Sequence, residues 1–185
     1  MDTTIAICLS GVLVTAAAID LRCRRIPNWL TFPAILAALA YHGFMGGTEG
    51  LVFGLKGLGL GFGLLLIPYA LGVMGAGDVK LLAAAGAALG PLGVFWAFLF
   101  TCLAGGVYAL IMLRGRFGIL RKSVSDLWNC LGVFMATKRF HYAPPSPDGS
   151  LPRLCYGVAI AVGTMGFMAG SIAWPVVGPL LRGMA

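Results

Sequence analysis

The sequence predicts an all-α polytopic membrane protein of about six transmembrane helices, N-terminus outside, with one amphipathic interfacial helix on the cytoplasmic side. Three observations carry that expectation: long apolar runs, a scarcity of charge, and a one-sided placement of the charge that remains. Hydrophobic residues make up 59% of the chain and charged residues only 10%, where a soluble domain carries about a quarter. The chain reads as one membrane-embedded domain, 1–185, with a cytoplasmic loop at 114–153.

Six apolar spans can be drawn, at 3–19, 29–46, 51–73, 79–91, 93–113 and 154–181. The stretch from Val79 to Leu113 is too long for one crossing, because about 20 residues span the hydrocarbon. The turn-prone pair Gly90-Pro91 divides it. The first span has no Lys or Arg before Arg22, so it lacks the positive region of a secretory signal and is expected to remain in the membrane. In the third span, Gly57/Gly61 and Gly59/Gly63 have the small-xxx-small spacing that lets helices approach closely. Packing within the chain is the first expectation for them, and a homo-oligomer is the second. Lys56 is expected to snorkel to the outer interface.

Basic residues set the orientation. With the N-terminus outside, eleven of the thirteen Lys and Arg residues fall in inner loops, as the positive-inside rule requires. The charge of +7 therefore reads as a topology signal that also holds anionic lipid, and nucleic acid is not an expected partner. In the 114–153 loop, Leu120, Val124, Leu127, Trp128, Leu131, Phe134 and Met135 recur at helical spacing opposite Arg121, Lys122, Ser125, Asp126 and Asn129. Such a helix lies in the membrane surface, as an anchor or as a ledge for substrate. The segment 143–150, APPSPDGS, is a turn-rich connector.

The same orientation has a consequence for two acids. Asp20 ends span one on the cytoplasmic side, and after two crossings the chain returns to that side at Asp78, 58 positions later. The fourth span is short: its 12 residues from Val79 to Gly90 cover about 18 Å of a core of about 30 Å. Asp78 is then either drawn into a recess, where low polarity raises a carboxyl pKa, or met by a locally thinned bilayer. Two carboxyls sharing a small site hold one proton between them. One can activate water while the other polarises a carbonyl. Gly75 and Gly77 suit an extended peptide laid beside Asp78, and equally suit a turn entering a helix. Asp20 has a bland alternative, an ion pair with Arg24.

The five cysteines are scattered with no CxxC pair, which argues against a zinc site or a disulfide framework. No metal or other cofactor is expected.

Two stretches together carry a family resemblance. MGAGDVK, residues 74–80, resembles the GxGD motif of the type IV prepilin peptidases, with Lys80 two residues after Asp78. DLRCRRIPNWLT, residues 20–31, is similar to that family's first-acid motif, matched by Asp20, Arg24 or Arg25, Ile26, Pro27 and Asn28. LPRLCYGVAIAVG, residues 151–163, resembles the Pro-Tyr-Gly segment before the last span; Pro152 and Tyr156 are separated here, so no role is carried over to it.

The resemblance implies a membrane aspartic endopeptidase that removes the leader of prepilins or pseudopilins at the cytoplasmic boundary of the inner membrane. Asp20 and Asp78 would be its catalytic pair. Gly75, Gly77, Lys80, Arg24, Arg25, Pro27 and Asn28 would bind substrate or support the motifs. The chain lacks the cysteine-paired insertion of bifunctional members. It thus looks like the short branch associated with Flp-type pili and tight-adherence secretion, without N-methyltransferase activity.

Rival chemistries fit less well. There is no HExxH for a metalloprotease. His42 and His141 are expected outside the apolar interiors, poorly placed for a Ser–His pair. Presenilin-type enzymes share GxGD but have a longer chain and a different first motif. A transporter expects acids spread along a path across the bilayer, whereas here they gather at one face. A non-catalytic assembly subunit, with Asp78 only starting a helix, is the remaining alternative.

Overall fold

The computed structural model of the chain describes residues 3–70, 74–113 and 155–173. Every regular element among them is a helix: α1 (Thr3–Cys23), α2 (Asn28–Ala70), α3 (Ala76–Leu113) and α4 (Tyr156–Ala173). The expected amphipathic helix, the rest of the 114–153 loop and the far end of the last expected span lie outside the described residues. α1, α2 and α3 are each long and apolar enough to cross a membrane, and α4 is apolar but shorter. The packing that positions the acids lies within one compact unit, to which the described residues up to Gly105 and from Cys155 onward belong.

α2 has 43 residues, about 65 Å if straight, twice the thickness of a bilayer core. It does not run straight. Gly47 adopts φ 58°, ψ −139°, a conformation essentially reserved for glycine, and the chain folds back there. A Cβ added to Gly54 would lie 3.0 Å from Leu39 Cδ2, so the arms 28–46 and 48–70 run side by side. α3 breaks in the same way at Gly90, with φ 75°, followed by Pro91. Both breaks fall where the sequence places a boundary between apolar runs.

The arm 76–89 of α3 is the centre of the bundle. Positions 81–90 are buried on every face, as expected of a helix that is apolar all round. Its composition explains why neighbours come so close: after Leu81 and Leu82, residues 83–88 are alanine or glycine. Gly57 packs on the Gly86 carbonyl, and a Cβ on Gly61 would lie 2.6 Å from the Leu82 carbonyl oxygen. Lipid tails are as apolar as leucine, so close backbone contact, more than burial from water, stabilises such a bundle. On the other flank, α4 lies along the second arm of α3, with Phe100 and Phe167 rings 6.3 Å apart and Gly163 against Thr101. α1 packs on α4 and on α2, with Leu13 and Ala16 fully buried.

The first apolar run, about 3–19, lies inside α1, which continues to Cys23 because its backbone hydrogen bonds need no lipid to persist. Asp20 is therefore inside the last turn. His42, expected outside the apolar interior, lies within α2, its Nε2 3.1 Å from the Ala88 carbonyl oxygen and its ring edge-on to Tyr41 and Phe53. This contact is near Gly90, at the end of the central arm away from Asp78.

Candidate active site

Four segment ends meet at the other end of the central arm: the end of α1, and the starts of α2, α3 and α4. Each is shaped by local chemistry. α1 stops because Arg24 takes a left-handed conformation, φ 51°, and donates its N–H to the Asp20 carbonyl at 2.8 Å, an αL cap. Pro27 then offers its carbonyl to the Leu30 N–H at 3.2 Å, opening α2.

α3 starts with a reciprocal cap. The Asp78 N–H donates to the Gly75 carbonyl, and the Gly75 N–H donates to Asp78 Oδ2, each at 3.1 Å. The side-chain bond is the N3 half of a capping box, with the Gly75 carbonyl in place of an N-cap side chain. It also places the carboxylate at the positive end of the helix dipole.

Asp20 is the more telling acid. A carboxylate in the last turn of a helix faces the negative end of that helix's dipole, an arrangement unfavourable by about 0.3–1 kcal/mol. The opposing contribution comes from a different element: the Gly157 N–H in the first turn of α4 donates to Asp20 Oδ2 at 3.0 Å. A bond of this charge-assisted kind contributes about 1.5–3 kcal/mol. The ion pair with Arg24 does not form among the described residues; the two are joined only through backbone.

Both acids are buried, Asp20 with 5% and Asp78 with 9% of its surface exposed. Their charges act on each other, and Ile26 joins their settings. A Cβ on Gly77 would lie 2.9 Å from Ile26 Cβ, and one on Gly157 would lie 3.0 Å from Ile26 Cδ1 and 2.9 Å from Asp20 Oδ2. The residue before Asp78 and the residue that holds Asp20 thus pack on opposite parts of one side chain. Gly77 is glycine to admit Ile26, while Gly75 stays exposed.

The supporting residues of the two motifs also meet. Lys80 Nζ donates to Asn28 Oδ1 at 2.8 Å and lies 5.3 Å from the centre of the Phe32 ring. Arg24 and Arg25 are exposed. Cys155, just before α4, is a free, half-buried cysteine. No group of three or more His, Cys, Asp or Glu side chains suited to a metal ion occurs among the described residues.

Two contributors went unassigned in the sequence. Gly157 belongs to the Tyr-Gly pair of residues 156–157, and that partial match was the available signal. Ile26 lay within a matched motif, but an apolar residue in a turn gives no hint that it will separate two glycines.

No curated protein and no solved structure matches the chain. A family model does, over residues 7–110, more than half of the sequence and inclusive of both acids. By that match the chain belongs to the type IV leader peptidase family, a peptidase built into the membrane.

Proposed function

We propose that the chain is an aspartic endopeptidase that cleaves prepilin leaders of the Flp type, with Asp20 and Asp78 as its dyad and without methyltransferase activity. The membrane reading that accompanies it has six crossings, the N-terminus outside and the acids at the cytoplasmic face of the inner membrane. Its strongest support is the convergence at one end of the bundle of two buried carboxyls that start 58 positions apart. Arg22, Arg24, Arg25 and the exposed Trp29 belong to segments at that end, as suits a cytoplasmic interface.

The chemistry follows from two carboxyls that share one proton. In each, Oδ2 is held by a backbone N–H, which fixes the carboxyl plane. The ionised member takes a proton from water as the water oxygen bonds to the scissile carbonyl carbon. The protonated member hydrogen-bonds the carbonyl oxygen and gives it its proton. Collapse of the resulting diol breaks the C–N bond: the leaving amine takes the proton that came from water, one diol hydroxyl returns its proton to the other carboxylate as the carbonyl re-forms, and the dyad again holds one proton. No metal and no covalent intermediate is required.

The test is cleavage of a prepilin by the purified protein in detergent. Asp20→Asn and Asp78→Asn should each abolish cleavage while the protein stays folded. Retained activity in either would remove the dyad. EDTA should leave wild-type cleavage intact; loss with EDTA and recovery with Mg²⁺ would instead assign the acids to a metal. The rival in which Asp78 only caps α3 is supported by the Gly75–Asp78 pair, and it leaves the buried Asp20 without a purpose.

A further inference from the structure

Lys80 follows Asp78 by two residues, which invites a direct partnership between ammonium and carboxylate. The helix forbids it. Two positions on an α-helix are separated by about 200° of rotation, so Lys80 leaves α3 on the side away from Asp78. No ion pair joins the two among the described residues. Lys80 instead reaches Asn28, 52 positions earlier, at 2.8 Å.

The setting of this contact gives it leverage. Asn28 is the first residue of α2, and Phe32, one turn later on the same face, supplies the ring that faces the ammonium at 5.3 Å. The ammonium is thus held twice by the first turn of α2, through an oxygen and through a π face. Upstream of Asn28, the short connector 24–27 leads directly to α1 and Asp20. Ile26, in that connector, is the side chain against Gly77. A shift of α2's start along α3 would therefore carry Ile26 across Gly77 and move Asp20 relative to Asp78.

We infer that Lys80 is a positioning residue: with Asn28 and Phe32 it forms a latch that fixes the start of α2 on the first turn of α3, and so sets the spacing of the two acids. The inference rests on the peptidase reading above and gives Lys80 a place in it that touches neither water nor the scissile bond. Because the latch acts on the geometry of the dyad, its loss lowers turnover. A lysine that gripped substrate would affect KM instead.

A double-mutant cycle tests this on the full chain in detergent, with a prepilin as substrate. Asn28→Ala and Lys80→Ala should each lower kcat about tenfold, with KM changed less than about twofold. The double variant should be no slower than the worse single one, since either change opens the same latch. Lys80→Arg should retain most of the activity, because a guanidinium can both donate to Asn28 and stack on Phe32. The latch is overturned if the two losses multiply, or if Lys80→Ala raises KM at unchanged kcat. Thermal unfolding of the same variants separates this inference from the peptidase reading. Should the wild-type protein cleave no prepilin, non-additive losses of Tm would still establish the latch, and additive losses would dismiss it.

Discussion

The two ends of the central arm of α3 are built on opposite principles. At one end, Gly86 and Gly90 meet Gly57 and Phe53 with almost nothing between backbones, and the polar atoms present, such as His42 Nε2, are matched to a carbonyl. At the other end, two carboxyls are buried, one of them at the unfavourable end of its own helix, and both are held by backbone N–H groups. The first end minimises free energy by close contact. The second accepts unfavourable terms and offsets them with contributions from other helices. On the proposed dyad reading, fold stability and chemistry fall to separate ends of one 14-residue arm, and substitutions at the two ends should fail in different ways.

The largest effect should come from the acids. Asp20→Asn and Asp78→Asn are nearly isosteric and keep an oxygen for the Gly157 and Gly75 N–H groups, so the fold should survive. Cleavage should fall by at least about 10³-fold, the scale of an acid–base contribution. Unfolding of either variant would mean that the acid end also carries stability, and the comparison would lose its point.

Gly157→Ala probes the same end more gently. The added methyl would stand 2.9 Å from Asp20 Oδ2 and 3.0 Å from Ile26 Cδ1, and side chains can yield where backbone cannot. The expected result is a kcat about 10–100-fold lower, since small displacements of a reacting group are costly, with a modest change in Tm. A kcat within twofold of wild type would show that the Asp20–Gly157 bond does not orient the carboxyl.

How much of this was legible beforehand differs between the ends. The meeting of Asp20 and Asp78 followed from counting crossings, because parity is a long-range constraint that needs no contact information. The reversal at Gly90 followed from a Gly-Pro pair, and the one at Gly47 falls in the gap between the runs 29–46 and 51–73. What stayed hidden was rotational. The pairs Gly57/Gly61 and Gly59/Gly63 have the same spacing in the same helix, and spacing cannot say which face turns inward when both flanks are leucine. Gly157 was hidden for a related reason: its role is a backbone N–H aimed by the first turn of α4, and main-chain donors leave no mark in a sequence.

The other end gives the third comparison. A Cβ on Gly57 would press on the Gly86 carbonyl and come within 2.7 Å of Gly90 Cα, all backbone atoms that cannot step aside. Gly57→Ala should therefore destabilise the bundle by about 1–3 kcal/mol, as overpacking does. The measurement is Tm in detergent, and any loss of activity should follow the loss of folded protein.

The smallest effect is the sharpest control. Gly59 and Gly63 have nothing within 4 Å of an added Cβ, so Gly59→Ala and Gly63→Ala meet no obstacle within the chain. Replacing glycine in a helix interior should then raise stability by about 0.5–1 kcal/mol, because alanine has less backbone freedom to lose on folding. Opposite signs from two glycines two residues apart would be hard to obtain from composition or propensity and follow directly from which face is packed. If Gly59→Ala instead lowers Tm as Gly57→Ala does, that outer face must be covered by something beyond this chain. A protein-concentration-dependent Tm would then identify the cover as a second copy, making the second glycine pair an oligomer contact.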